Sequence, residues 1–82
     1  MLMSVKLFGP MRQAAAQTEL ALTVNDARPT CAALRREIRS GEPRLAELLD
    51  GCRFAVNGRF AAEEQCLAED DEIALVGFVS GG

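Results

Sequence analysis

Histidine, tryptophan and tyrosine are absent from this 82-residue chain, and lysine occurs once, as Lys6. Lacking histidine, it has neither the usual acid–base side chain for neutral pH nor the commonest metal ligand. Cysteine is scarce and odd in number, at positions 31, 52 and 66, with no CxxC pair. That spacing argues against a disulfide framework or a zinc site and fits a reducing compartment. The three thiols are expected as small, mostly buried apolar side chains. Basic charge is in deficit, with a net charge of −3, which disfavours nucleic-acid binding. No apolar run approaches the roughly 20 residues of a membrane span. The opening residues have no signal-peptide core, and no GxxxxGK loop is present to hold phosphate. The expectation is a cytoplasmic protein with no metal, no membrane contact and no catalytic constellation of its own.

What is present packs into one domain. Hydrophobic residues at 49% against 26% charged place the chain among globular rather than disordered sequences. Met3, Val5 and Leu7 alternate with Ser4, Lys6 and Phe8, which predicts a first strand ended by Gly9-Pro10. "MRQAAAQ" allows a helical turn or two. Leu20, Leu22 and Val24 mark a second strand. Thr30 is a candidate N-cap for a helix whose apolar stripe is Cys31, Leu34 and Ile38. Arg35, Arg36 and Arg39 are expected to face water, and Gly41 and Pro43 to stop the helix. A further short helix is expected through Leu45, Leu48 and Leu49. Cys52, Phe54 and Val56 alternate into Asn57-Gly58, a two-residue hairpin signal, with Arg59 and Phe60 starting the return strand.

Residues 63–72 hold half of the acids, a pattern that reads as a solvated loop or as a docking surface for a basic partner. Then comes "EIALVGFV". Ile73 and Leu75 fall on one face, and Ala74, Val76 and Phe78 on the other. Apolar on both faces, it predicts a strand in the middle of its sheet. One mixed sheet with one main helix packed on one face is a two-layer α+β domain. This order of elements suggests the ubiquitin-like β-grasp. The domain is expected over residues 1–78, with 79–82 as a flexible tail ending in Gly81-Gly82.

Two terminal glycines arise by chance in about one chain in 200 at average glycine usage. Read functionally, the reacting group is the Gly82 carboxylate. A carboxylate is a poor acyl donor until it is given a leaving group, for example by adenylation. Glycine lets backbone thread a narrow channel, because no Cβ intervenes. Four extended residues reach roughly 13–14 Å.

"VKLFGPMR" at 5–12, "AVNGR" at 55–59 and "LAEDDEIALVGFVSGG" at 67–82 resemble the small, sulfur-carrying subunit of molybdopterin synthase, and the resemblance covers nearly the whole chain. It implies that an E1-like adenylating enzyme spends ATP on the Gly82 carboxylate. A sulfur donor then displaces AMP and leaves a thiocarboxylate, with Ser80 and Gly81 forming the tail that presents it. The thiocarboxylate enters the large subunit and donates sulfur to cyclic pyranopterin monophosphate, building molybdopterin. The implied assembly is a heterotetramer of two small and two large subunits, with catalytic groups on the large one. The resemblance also implies a partner-binding patch of Phe8, Phe60, Val76 and Phe78, with Arg12 and Arg59 at its rim. The sequence departs from the family pattern twice. Asp70 stands where glycine is frequent, and Gly77-Phe78 stand where Pro-Pro is common. Three other readings share the residues: a thiamine-type sulfur carrier, a ubiquitin-like modifier joined through Gly82 to lysines, and an interaction module with inert glycines.

Overall fold

The computed structural model describes residues 1–77; Phe78, Ser80, Gly81 and Gly82, named above, lie outside the described residues. Strand β1 (Leu2–Leu7) leads through a short helix, α1 (Pro10–Ala15), into β2 (Glu19–Thr23). The main helix, α2 (Cys31–Gly41), precedes two 3-10 turns, at Pro43–Leu45 and Leu49–Gly51. The hairpin β3 (Cys52–Val56) and β4 (Arg59–Phe60) follows, then β5 (Ile73–Gly77).

The five strands form one sheet in the order β2-β1-β5-β3-β4. The strand apolar on both faces is therefore central, as its composition predicts: β5 lies parallel to β1 and antiparallel to β3. Alternation decides what each strand buries. Met3, Val5 and Leu7 of β1, Cys52, Phe54 and Val56 of β3, and Ile73 and Leu75 of β5 all face one core. Cys31, Leu34 and Ile38 of α2 close that core, with Met11 and Ala15 of α1.

Local chemistry fixes the element ends. The Thr30 hydroxyl accepts from the Ala33 N–H at 3.2 Å, capping α2. Asn57 (φ 52°) and Gly58 (φ 83°) both take positive φ, as a tight two-residue hairpin turn demands. Asn57 also reaches across the fold. Its amide donates to Asp71 at 3.0 Å and its side-chain oxygen accepts from the Glu72 N–H at 2.9 Å, which ties the hairpin to the entry of β5. Among described non-glycine residues, only Ala16 and Asn57 have positive φ. Asp70 therefore sits in the family's glycine position without needing left-handed backbone.

Three expectations are corrected. Arg35 does not face water like its neighbours. Its side chain is 14% exposed and it donates to the carbonyls of Leu49 and Cys52. Cys66 is exposed, although its backbone forms an isolated bridge with Thr30. The segment after Pro43 forms two separate 3-10 turns instead of a helix, with Leu45 and Leu49 buried. The acidic run is solvated as expected, with Glu63, Glu64, Glu69, Asp70 and Glu72 exposed and Asp71 half-buried, and three of its acids also make surface contacts. Glu63 binds Arg35, Glu72 binds Lys6, and Asp71 binds Asn57.

Candidate functional site

The face of the sheet opposite α2 is built by the residues that alternate with the core. In β1 these are Ser4 and Lys6, in β3 Arg53 and Ala55, in β5 Ala74 and Val76. Register sets them in rows. Lys6 stands beside Ala74, Ala74 opposite Ala55, and Ala55 opposite Phe60 of β4. In the next row Arg53 stands opposite Val76. Phe8 follows Leu7 and Val76 follows Leu75, and Leu7 and Leu75 are partners, so the parallel register extended by one residue sets Phe8 beside Val76. Phe8 and Phe60 are 47% and 53% exposed, large for aromatic side chains in a molecule this size. Between them Ala55, Ala74 and Val76 are half-buried. The result is a shallow apolar floor of small residues with an aromatic side chain at either end, the form an interface centre takes.

By register, three of the six patch and rim residues share this face: Phe8, Phe60 and Val76. Arg59 does not join them by register. It pairs with Val56, a core-facing residue, and cross-strand partners share a face. Arg12 is exposed on α1, the helix whose Pro10 and Met11 lie against the end of β5. The cation packed on the Phe60 ring is Arg53, which was not among the expected rim residues. Its guanidinium carbon lies 4.7 Å from the centroid of the Phe60 ring. Strand alternation held the signal: if Phe54 points inward, Arg53 must point outward beside Val76.

The end of β5 is the second element of the site. Gly77, its last residue, is in register with Cys52. A Cβ at Gly77 would lie 3.6 Å from Cys52 Sγ, 3.8 Å from Pro10 and 3.9 Å from Met11, so the strand ends in ordinary contact with α1 and β3. A cavity of about 210 Å³ opens beside it, lined by these residues with Glu47, Leu48 and Gly51. Cys52 is not poised as a nucleophile there. Its thiol donates to the Leu48 carbonyl at 3.1 Å, and burial pushes its pKa up despite the nearby Arg35. Burial likewise pushes the Cys31 thiol up to about 11. Among the described residues no group of three or more His, Cys, Asp or Glu is placed to hold a metal ion, and no helix is long and apolar enough to cross a membrane.

A central strand parallel to β1, a hairpin on one side and one main helix beneath are the marks of a ubiquitin-like β-grasp. The family profile described as the ThiS family matches residues 5–82, from the middle of β1 through the final glycine. The chain belongs to the ThiS family. Its relatives by structure fall into two kinds. SAMP1 from Haloferax volcanii is similar with a TM-score of 0.84 at 27% identity, each chain covered in full. A chain of the complex between subunits 1 and 2 of molybdopterin-converting factor from Helicobacter pylori is similar with a TM-score of 0.69 at 26% identity, again over 100% of both chains. The small archaeal modifier protein 1 of Methanosarcina acetivorans shares the fold, with a TM-score of 0.74 at 24% identity over 99% of this chain and 96% of that one. No curated protein matches the chain by sequence. This ThiS-family chain is thus a β-grasp domain of the sulfur-carrier and ubiquitin-like-modifier kind.

Proposed function

We propose that this ThiS-family protein is a sulfur carrier for molybdopterin synthesis. An E1-like enzyme adenylates the Gly82 carboxylate with ATP, and a sulfur donor converts it to a thiocarboxylate. The carrier then docks on a large synthase subunit and gives up the sulfur to cyclic pyranopterin monophosphate. Ser80 and Gly81 are the tail that presents Gly82 to the partner's channel, and no side chain of the carrier takes part in the chemistry. The cytoplasm, where ATP and reduced thiols are at hand, is the compartment this requires.

The observation that carries the reading is the open face of the sheet. Val76 lies on β5, the strand that leads to the C-terminal glycines, and with Arg53 of β3, Phe60 of β4 and Phe8 just beyond β1 it forms an apolar patch with a cation. A docking surface fixed to the strand that delivers the reacting end is what a carrier requires, because one encounter then both recognises and aims. The likeness over its full length to a protein that pairs with a second subunit supports the same reading. The assembly proposed is two carriers with two large subunits, since a dithiolene takes two sulfurs.

The test is reconstitution. The thiocarboxylated chain, mixed with the synthase large subunit of the same organism and cyclic pyranopterin monophosphate, is expected to yield molybdopterin. The untreated chain is expected to yield none. Failure of the thiocarboxylated chain to support any product sinks the assignment.

A second reading is favoured by the likeness to SAMP1, which is as long and more similar in shape. Here the activated Gly82 is passed to an amine of another protein. Both readings need the same activated C-terminus and part only at the acceptor.

A further inference from the structure

A chain that carries an activated C-terminus is an acyl donor, and its own amines are the nearest nucleophiles. The sequence offers few. Of nine basic residues one is lysine, so Lys6 Nζ and the Met1 amine are the only amines in the chain. The two are placed differently. The Met1 amine donates to the Val24 carbonyl at 2.8 Å, in a part-buried contact at the start of the β1–β2 pair. Lys6 stands on the open face of β1 with its side chain 47% exposed, and its ammonium is held by Glu72 at 2.7 Å. It is a single amine, exposed and fixed in position, in the row that runs through Ala74 and Ala55 to Phe60.

We infer that Lys6 is an acyl-acceptor site, through which the activated C-terminus of a second copy of this chain is joined in an amide bond. The inference rests on the activated Gly82 of the preceding section. In the step, the Lys6 amine attacks the carbonyl carbon of the Gly82 acyl-adenylate of the second copy. The C–N bond forms, the bond from that carbon to the AMP oxygen breaks, and AMP leaves with the electron pair. The amine proton goes to solvent, and nothing is oxidised or reduced.

The donor is a second copy because of strand direction. β1 and β5 run parallel, and Lys6 lies beside Ala74, three residues before β5 ends at Gly77. β5 thus runs away from Lys6, and a tail that reached its own lysine would have to double back. A neighbour's C-terminus approaches the face without that reversal.

Glu72 restrains the reaction. The amine must lose its proton before it attacks, and the Glu72 hydrogen bond and charge, with a smaller contribution from Glu19 opposite, raise the Lys6 pKa. Asp70 and Asp71 line the same hollow and add negative charge. Lys6 is thus held ready and kept protonated, and self-joining is slow while Glu72 is in place. The amide, once formed, stands on the face proposed for docking, so a self-joined carrier cannot use that face.

The experiment uses the full chain bearing a C-terminal thioester, made by intein cleavage, mixed with the ordinary full chain. Intact mass and fragmentation locate the linkage. The expected result is a dimer branched at Lys6, absent with Lys6→Arg, which keeps the cation beside Glu72 but is no acyl acceptor. With Glu72→Gln the dimer should form about two to five times faster, the order of effect one exposed ion pair has. A dimer joined at Met1, a dimer that persists with Lys6→Arg, a monomer closed on its own lysine, or hydrolysis without any dimer would each overturn the inference. A parallel arm with the adenylating enzyme and ATP separates the two proposals. If no AMP is released there while the thioester still labels Lys6, the activation reading fails and the acceptor site stands.

Discussion

The guanidinium of Arg53 lies over the ring of Phe60, 4.7 Å from its centroid, and stands opposite Val76 across the β3–β5 ladder. The contact gathers a cation, an aromatic ring and a half-buried valine on the sheet face away from α2. Cation–aromatic pairs of this kind combine apolar area with a charge that can choose a partner's carboxylate. Val76 belongs to the strand that leads to the C-terminus, so that strand carries part of the patch.

Docking to the large subunit should therefore depend on this face. Phe60→Ala and Phe8→Asp are expected to weaken binding by about tenfold or more, as loss of an aromatic anchor does. Arg53→Ala should weaken it less, while Arg59→Ala, on the opposite side of the hairpin by register, should leave it nearly unchanged. Titration calorimetry checks the order. Unfolding midpoints should move little, because Phe8 and Phe60 are about half exposed. Unfolding of the Phe8 variant would place that ring in the core instead.

Arg35 is the brace of the β3 side of the fold. Its guanidinium donates to the carbonyls of Leu49 and Cys52, grips Glu63 at 2.8 and 2.9 Å, and lies 5.3 Å over the Phe54 ring. Arg35→Met keeps the stem but leaves two carbonyls and one carboxylate without their charged donor. It should cost about 2–3 kcal/mol, read as a lower urea midpoint at unchanged slope. Arg36→Met, on the exposed side of the same turn of helix, should cost far less.

The same brace sets a pH dependence. The hydrogen bond from Arg35 is the main cause that holds the Glu63 carboxyl below its ordinary value of 4.5, against a smaller opposing effect of burial. A folded pKa below the unfolded one means that the contribution is complete above the unfolded value and is lost as pH falls through the folded one. Stability should decline below about pH 4.5, and Glu63→Gln should flatten that part of the profile. Thermal melts between pH 3 and 7, to the nearest about half unit of pH, test it. An unchanged slope in the Glu63 variant would assign the loss to other carboxyls.

Thiol labelling distinguishes the three cysteines. Cys66 is exposed, whereas Cys31 and Cys52 are buried and both have raised pKa values. Iodoacetamide at neutral pH should modify Cys66 first and reach the other two only as the domain opens. Fast modification of Cys52 would mean that the cavity beside Gly77 admits the reagent.

The sheet was legible because its strands alternate cleanly. Met3-Val5-Leu7 and Cys52-Phe54-Val56 each name a face, Asn57-Gly58 names the turn, and the two-sided apolar run at 73–78 names the central strand. What the sequence hid was contact between distant segments. Arg35 has the same helical neighbours as Arg36 and Arg39, and nothing local says that it turns inward. Its carbonyl partners at Leu49 and Cys52 and its carboxylate at Glu63 come together only when the 3-10 turns and the acidic segment fold over α2. Glu63, Asp71 and Glu72 were hidden for the same reason, since an acid paired across the fold reads as solvated in one dimension. Arg53 was within reach of the pattern, because its outward direction follows from the inward direction of Phe54.

Gly81 and Gly82 have no side chain to give to a core, and among the described residues the buried cluster reaches as far as Leu75. The chain truncated before Gly81 is expected to fold with the stability of the full one and to give no molybdopterin in the reconstituted synthase. Normal product from it would remove the glycines from the mechanism.

The measurement that bears most directly on the account is the intact mass of the chain purified from its own cells under conditions that spare thioacids. A carrier is predicted to show a fraction heavier by the difference between sulfur and oxygen, located by fragmentation at Gly82 and lost on treatment with iodine. A native chain found only as the plain carboxylate, or extended beyond Gly82 by residues that stay in place, would contradict it.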